Sequence, residues 1–165
     1  MITPGRDWER RMADLWAAFD DHEPAGFLAE VEALTGELPA GDPVAEYELA
    51  SAYDSIGEEA KAAAHYRRAF AAGLDGDRRR QATIQFASTL RNLGQAEESV
   101  ALLNAERDAV SDELDDAVTA FLALALTDLG REREATGLAL QALSRHLPRY
   151  NRSLANYAKT LTEQP

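Results

Sequence analysis

The sequence predicts an all-α fold, an α-solenoid of antiparallel helix pairs, and three observations predict it. A leucine or isoleucine followed by glycine recurs at Ile56-Gly57, Leu93-Gly94 and Leu129-Gly130, with the glycines spaced 37 and then 36 residues apart. A fixed period of that size marks stacked repeats. Each glycine follows an apolar helical stretch and precedes a charged, alanine-rich one, so the repeating unit is helix-turn-helix. The composition, 45% hydrophobic and 28% charged over 165 residues, suits one globular domain over 1–165, because a disordered chain buries too little apolar surface to offset its ordering entropy.

A diverged helix pair is expected over 7–37. Trp8, Met12, Leu15, Trp16 and Phe19 fall on one helical face, and Phe27, Leu28, Val31 and Leu34 do the same after Glu23-Pro24. Asp14 stands where a repeat would carry a small apolar residue, so this pair reads as a cap. The two tryptophans are expected to pack on the first repeat, with a ligand-lining role as the alternative.

The first repeat is expected over 43–76. Asp42 supplies a cap acceptor, and Pro43 occupies the first helical position, where its missing N–H costs nothing. Leu49, Ala50 and Tyr53 recur at helical steps up to Gly57, which ends the helix in a left-handed conformation. Glu58 and Glu59 begin the return helix, whose stripe is Ala62, Tyr66, Ala69 and Phe70. The second repeat, 80–110, keeps Phe86, Ala87, Leu90, Gly94 and Leu103 but has Ser99 and Glu106 at positions for small apolar residues. The third, 116–147, keeps Leu122, Ala123, Leu126, Gly130, Ala135, Ala139 and Ala142 and ends at Leu147-Pro148. A last helix, 149–163, carries Tyr150, Leu154, Tyr157, Ala158 and Leu161 on one face and Arg152, Asn156, Lys159 and Glu163 on another. It is expected to cap the final repeat, or alternatively to pair with another subunit.

Residues 46–69 resemble a tetratricopeptide repeat: Leu49-Ala50, Tyr53, Gly57, Ala62, Tyr66 and Ala69 match the pattern of that family, while Glu46 replaces its early tryptophan. Ala71-Ala72-Gly73-Leu74-Asp75-Gly76 and the stretch from Phe86 to Gly94 also resemble a small bacterial single-domain family of such repeats, and the likeness extends over 40–147. The resemblance implies a protein-interaction module.

It also implies where a partner lies. The inward positions of the first helices form a concave groove and fall on Tyr47, Ser51 and Asp54 in the first repeat; on Gln81, Ile84, Gln85, Ser88, Arg91 and Asn92 in the second; and on Leu124, Thr127 and Asp128 in the third. The middle set is the most polar. Arg91 suits a peptide carboxylate and Asn92 a peptide backbone, while an ion pair from Arg91 to Asp54 or Asp128 is the competing role.

A formal net charge of −12 disfavours nucleic acid and anionic membrane. Arg78-Arg79-Arg80 is short and offset by Asp75 and Asp77, so it reads as a solvated or ion-paired surface. With no cysteine, thiolate catalysis and cysteine-ligated metal are excluded. His22, His65 and His146 lack metal-ligand spacing, and no phosphate-loop, dinucleotide or nucleophile-elbow motif occurs. Glu58-Glu59, Glu97-Glu98 and Asp115-Asp116 suit solvated helix starts better than acid–base work. Met1 to Asp7 has no apolar signal core, and the run from Ala117 to Leu126 is too short to span a bilayer, so a cytoplasmic location is expected.

The sequence therefore predicts a non-catalytic module without cofactor or metal that binds a protein or peptide. A self-associating homodimer is the alternative, and an enzyme with a dispersed site is the remaining one.

Overall fold

The structure is a computed structural model that describes residues 4–109 and 111–163. Met1, Ile2 and Thr3 of the amino-terminal stretch read above, Val110 at the end of the expected second repeat, and Gln164 and Pro165 lie outside the described residues. Among the described residues there are nine α-helices and no strand. They are α1 (Arg6–Ala17), α2 (Pro24–Thr35), α3 (Pro43–Ser55), α4 (Glu59–Ala71), α5 (Gly76–Asn92), α6 (Ala96–Ala109), α7 (Asp115–Asp128), α8 (Glu132–Ser144) and α9 (Asn151–Glu163). A 3-10 turn, Phe19–Asp21, follows α1.

Local chemistry sets the ends. Asp42 Oδ1 accepts from the Val44 and Ala45 N–H groups at 2.8 and 3.2 Å, which caps α3 with Pro43 in its first turn. The glycine period has one geometry: Gly57, Gly94 and Gly130 all take positive φ, and the N–H of the following residue donates five residues back, to Tyr53, Leu90 and Leu126 at 2.8–2.9 Å. Nothing crowds a Cβ at these glycines, so the turn conformation alone requires them.

The chain forms two compact units, Met1–Ala82 and Thr83–Pro165, divided within α5. In the first unit α1, α2, α3 and α4 pack in succession. Trp8, Met12, Leu15, Phe27, Val31 and Ala52 form its buried core. The Trp16 and Phe27 rings meet edge-on at 4.9 Å, as do Phe19 and Phe27 at 4.8 Å. Trp8 Nε1 donates to the Leu34 carbonyl at 2.8 Å, so both tryptophans serve the core.

In the second unit the core is built from Val100, Leu103, Val118, Leu122, Leu126 and Ala135. Ser99, in a position for a small apolar residue, is buried and donates to the Ala87 carbonyl at 2.7 Å, so the hydroxyl is satisfied without loss of packing. Helix α9 packs on α8 through Ala158, which is fully buried. The apolar stripe expected on α9 is split: Leu154 and Leu161 are half-buried, but Tyr150 and Tyr157 are 78% and 70% exposed.

The α8–α9 contact hinges on Gly137. A Cβ there would lie 2.7 Å from Thr162 Cγ2, 3.0 Å from the Ala158 carbonyl and 3.1 Å from Leu161 Cβ. Alanine at this position gains about 1 kcal/mol of helix propensity against an overpacking cost of about 1–3 kcal/mol, so Gly137→Ala is expected to be near neutral or mildly destabilising. Gly137→Leu has no such offset. It is expected to strip hydrogen-exchange protection from α9 while α7 and α8 keep theirs; unchanged protection of α9 would show that the contact does not depend on this glycine.

Candidate functional site

The expected groove positions divide by burial. In the first unit, Tyr47 and Ser51 are 7% and 5% exposed. The Tyr47 hydroxyl donates to Gln81 Oε1 at 3.1 Å, and Ser51 shares a hydrogen bond with the Tyr66 hydroxyl. Burial pushes the Tyr66 phenol far above its ordinary range, with the Asp54 carboxylate adding to it, so Tyr66 stays neutral. Tyr47 and Ser51 are thus engaged in holding helices together, whereas Asp54 is half-buried and Gln81 exposed.

In the second unit, Ile84 is buried, Gln85, Ser88 and Arg91 are half-buried, and Asn92, Leu124, Thr127 and Asp128 are exposed. The structure brings α5 and α7 together at their carboxyl ends, where Arg91 Nε lies 2.5 Å from Asp128 Oδ2. The contact has the distance of an ion pair without the direction of a hydrogen bond. Thr127 Oγ1 donates to the Ala123 carbonyl at 2.9 Å. Leu124, one turn before Asp128, leaves 46% of its surface in solvent.

The helix-turn-helix period, the small buried residues Ala50, Ala87 and Ala123, and the shared glycine turn find their counterpart in a family model of the tetratrico peptide repeat, which matches residues 43–161. The chain belongs to the tetratricopeptide repeat family. Its fold class is accordingly the α-solenoid, and the family is one of protein-interaction modules. No curated protein and no solved structure matches the chain. Among the described residues no helix is long and apolar enough to cross a membrane, and no three histidine, aspartate or glutamate side chains gather as a metal site would require.

Two polar clusters of this tetratricopeptide repeat chain escaped the sequence reading. The first surrounds Arg78, whose guanidinium bonds the Glu9 carboxylate and lies 3.4 Å from Glu48 Oε1, while Trp16 Nε1 donates to Glu48 Oε2 at 2.8 Å. Burial raises the Glu48 carboxyl, and the Trp16 and Arg78 donors oppose that rise. Arg80 is buried, at 3% exposure. Within the arginine run, Arg78 is therefore ion-paired and Arg80 is internal.

The second cluster joins α2, α3 and α4. Glu46 Oε2 accepts from His65 Nδ1 at 2.7 Å and from Arg68 Nε at 2.8 Å. The Tyr53 ring stacks on His65 with centroids 5.2 Å apart, and its hydroxyl donates to Glu32 Oε1 at 3.2 Å. Glu32, Glu46, Tyr53 and His65 border an open cleft of about 550 Å³ together with Leu38, Ala45 and Leu49. The available signal was Glu46 itself: a carboxylate in place of the family's tryptophan needs a cation from the adjoining helix.

Burial holds the His65 imidazole below its ordinary value of 6.5, with the Arg68 cation lowering it further and Glu46 opposing. The unfolded chain thus binds the proton more readily than the folded one, and the stability owed to neutral His65 is complete above pH 6.5 and lost as pH falls. His22 has the opposite sign, raised first by the Ala18 carbonyl and also by Glu30. Replacing His65 alone separates the two. His65→Gln is expected to flatten the loss of unfolding free energy between about pH 7 and pH 5; an unaltered slope in denaturant titrations would assign the acid sensitivity elsewhere.

Proposed function

We propose that this chain is a non-catalytic interaction module that binds a peptide or helix of a partner protein along the exposed faces of its first helices. The observation that carries the reading is the surface at the carboxyl ends of α5 and α7. Arg91, Asn92 and Asp128 offer charged and amide hydrogen-bonding groups there, beside the exposed apolar side chain of Leu124. Such a mixture suits a peptide: an apolar residue covers Leu124, Asn92 pairs with backbone amide groups, and Arg91 forks a carboxylate. Ser88, Gln85 and Thr127 extend the same surface, with Ile84 buried beneath it. In the first unit, Asp54 and Gln81 are the accessible members, resting on buried Tyr47 and Ser51.

The Arg91–Asp128 pair is consistent with this role. Both side chains retain about a third of their surface, 30% and 38%, and an ion pair so exposed contributes about 0–1 kcal/mol. A partner carboxylate competes for Arg91 at little cost to the fold. The surrounding net charge of −12 favours neutral or basic partners on this surface, with Arg91 as the local exception.

An affinity capture from the source cell, comparing wild type with Arg91→Ala/Asn92→Ala by mass spectrometry, tests the reading. The double variant is expected to lose about 1 kcal/mol of stability or less and to bind the captured partner about 10- to 100-fold more weakly. A partner held equally by Leu124→Glu and by the double variant would remove this surface from the binding site.

A further inference from the structure

A different surface, on α9, has the marks of a second docking site. Ala50, Ala87, Ala123 and Ala158 follow one another at 37, 36 and 35 residues, and all four are buried. In this register α9 is the first helix of a further repeat, with Tyr157 and Leu161 in the places that Leu122 and Leu126 hold on α7. Leu122 and Leu126 are each 1% exposed, but Tyr157 is 70% exposed, because no second helix covers that side of α9 among the described residues. Tyr150 continues the seam one turn before Leu154. It is the one non-glycine among the described residues with positive φ, 64°, and is 78% exposed. A bulky side chain in the left-handed region is strained, and burial within the chain does not offset that strain here.

Charge states what suits this seam. The chain carries −12 overall, yet residues 145–163 hold Arg145, Arg149, Arg152 and Lys159 against the single carboxylate of Glu163. Asp116 engages Arg145, and Glu163 engages Lys159. Arg149 and Arg152 remain exposed beside Tyr150, and Arg152 stands in the first turn of α9, where the helix dipole disfavours a cation. A second copy presenting the same face would bring another cation-rich seam with Glu163 as its single carboxylate, and so lacks the acids that suit these arginines.

We propose that the Tyr150–Tyr157 face of α9 docks an acidic amphipathic helix of a partner protein. The partner's apolar side chains cover Tyr150, Leu154 and Tyr157, and its carboxylates meet Arg149 and Arg152.

Fluorescence anisotropy on the full chain tests this with two synthetic helical peptides: one with leucine and alanine on one face and glutamate on the other, and its twin with lysine for each glutamate. The glutamate peptide is expected to bind at least about tenfold more tightly than its twin. Tyr157→Ala is expected to weaken it about tenfold without moving the thermal midpoint, and Arg152→Glu to erase the preference. Equal binding of the twins, no binding of either at about millimolar concentration, or full-strength binding to Tyr157→Ala overturns the proposal. So does a wild-type chain that light scattering finds dimeric and that Tyr157→Ala returns to monomer, which assigns the face to a second copy.

Discussion

Close approach between helix backbones is the constraint on which the other features rest. Ala50 and Ala87 are wholly buried and Ala123 is 7% exposed, each where a first helix meets its neighbours, and a larger residue there would push the helices apart. The Ser99 hydroxyl reaching the Ala87 carbonyl at 2.7 Å shows how near α5 and α6 come. At Gly137 even a methyl group would press on Thr162, Leu161 and the Ala158 carbonyl. Large side chains then fill the spaces between: Leu103, Leu122 and Leu126 in the second unit, Phe27 and Val31 in the first.

Packing this tight favours a defined partner for a polar group inside it. Thr35 and Thr89 turn their hydroxyls back on carbonyls of their own helices, Asp42 caps α3, and Glu48 is held by Trp16 and Arg78. The energetic argument is asymmetric. A well-placed hydrogen bond contributes about 1 kcal/mol net, whereas a buried polar group left unpaired costs about 1–3 kcal/mol. Polar residues inside the units are therefore tied to structure, and binding falls to groups at the surface.

The same distinction governs what could be read from the sequence. The helix-turn-helix period was legible because its causes are local: a glycine that must take positive φ, and a 3- to 4-residue apolar recurrence on either side. The proline-capped start of α3 was legible for the same reason. Contacts between distant segments were not. Glu9 with Arg78 and Trp16 with Glu48 are separated by 69 and 32 residues, and no spacing rule links them. Arg91 is the intermediate case. Two carboxylates stood at suitable repeat positions, and only packing decides that Asp128 lies at ion-pair distance. On α9 the apolar stripe was legible from its spacing, but its division into a buried half and an exposed half depends on where Gly137 lets the helix settle.

Apolar surface and charge then have separate duties on the exposed half. Covering an exposed tyrosine ring contributes more to association than an exposed ion pair does, the latter being about 0–1 kcal/mol. Tyr150 and Tyr157 thus supply the drive to associate. Arg149 and Arg152 add little to affinity in a solution whose screening length is about 8–10 Å, yet they make acidic and basic partners unequal at contact. An acidic molecule with exposed arginines beside an apolar seam discriminates by sign at that seam and by shape elsewhere: the rings set how tightly α9 is covered, and the arginines set by what.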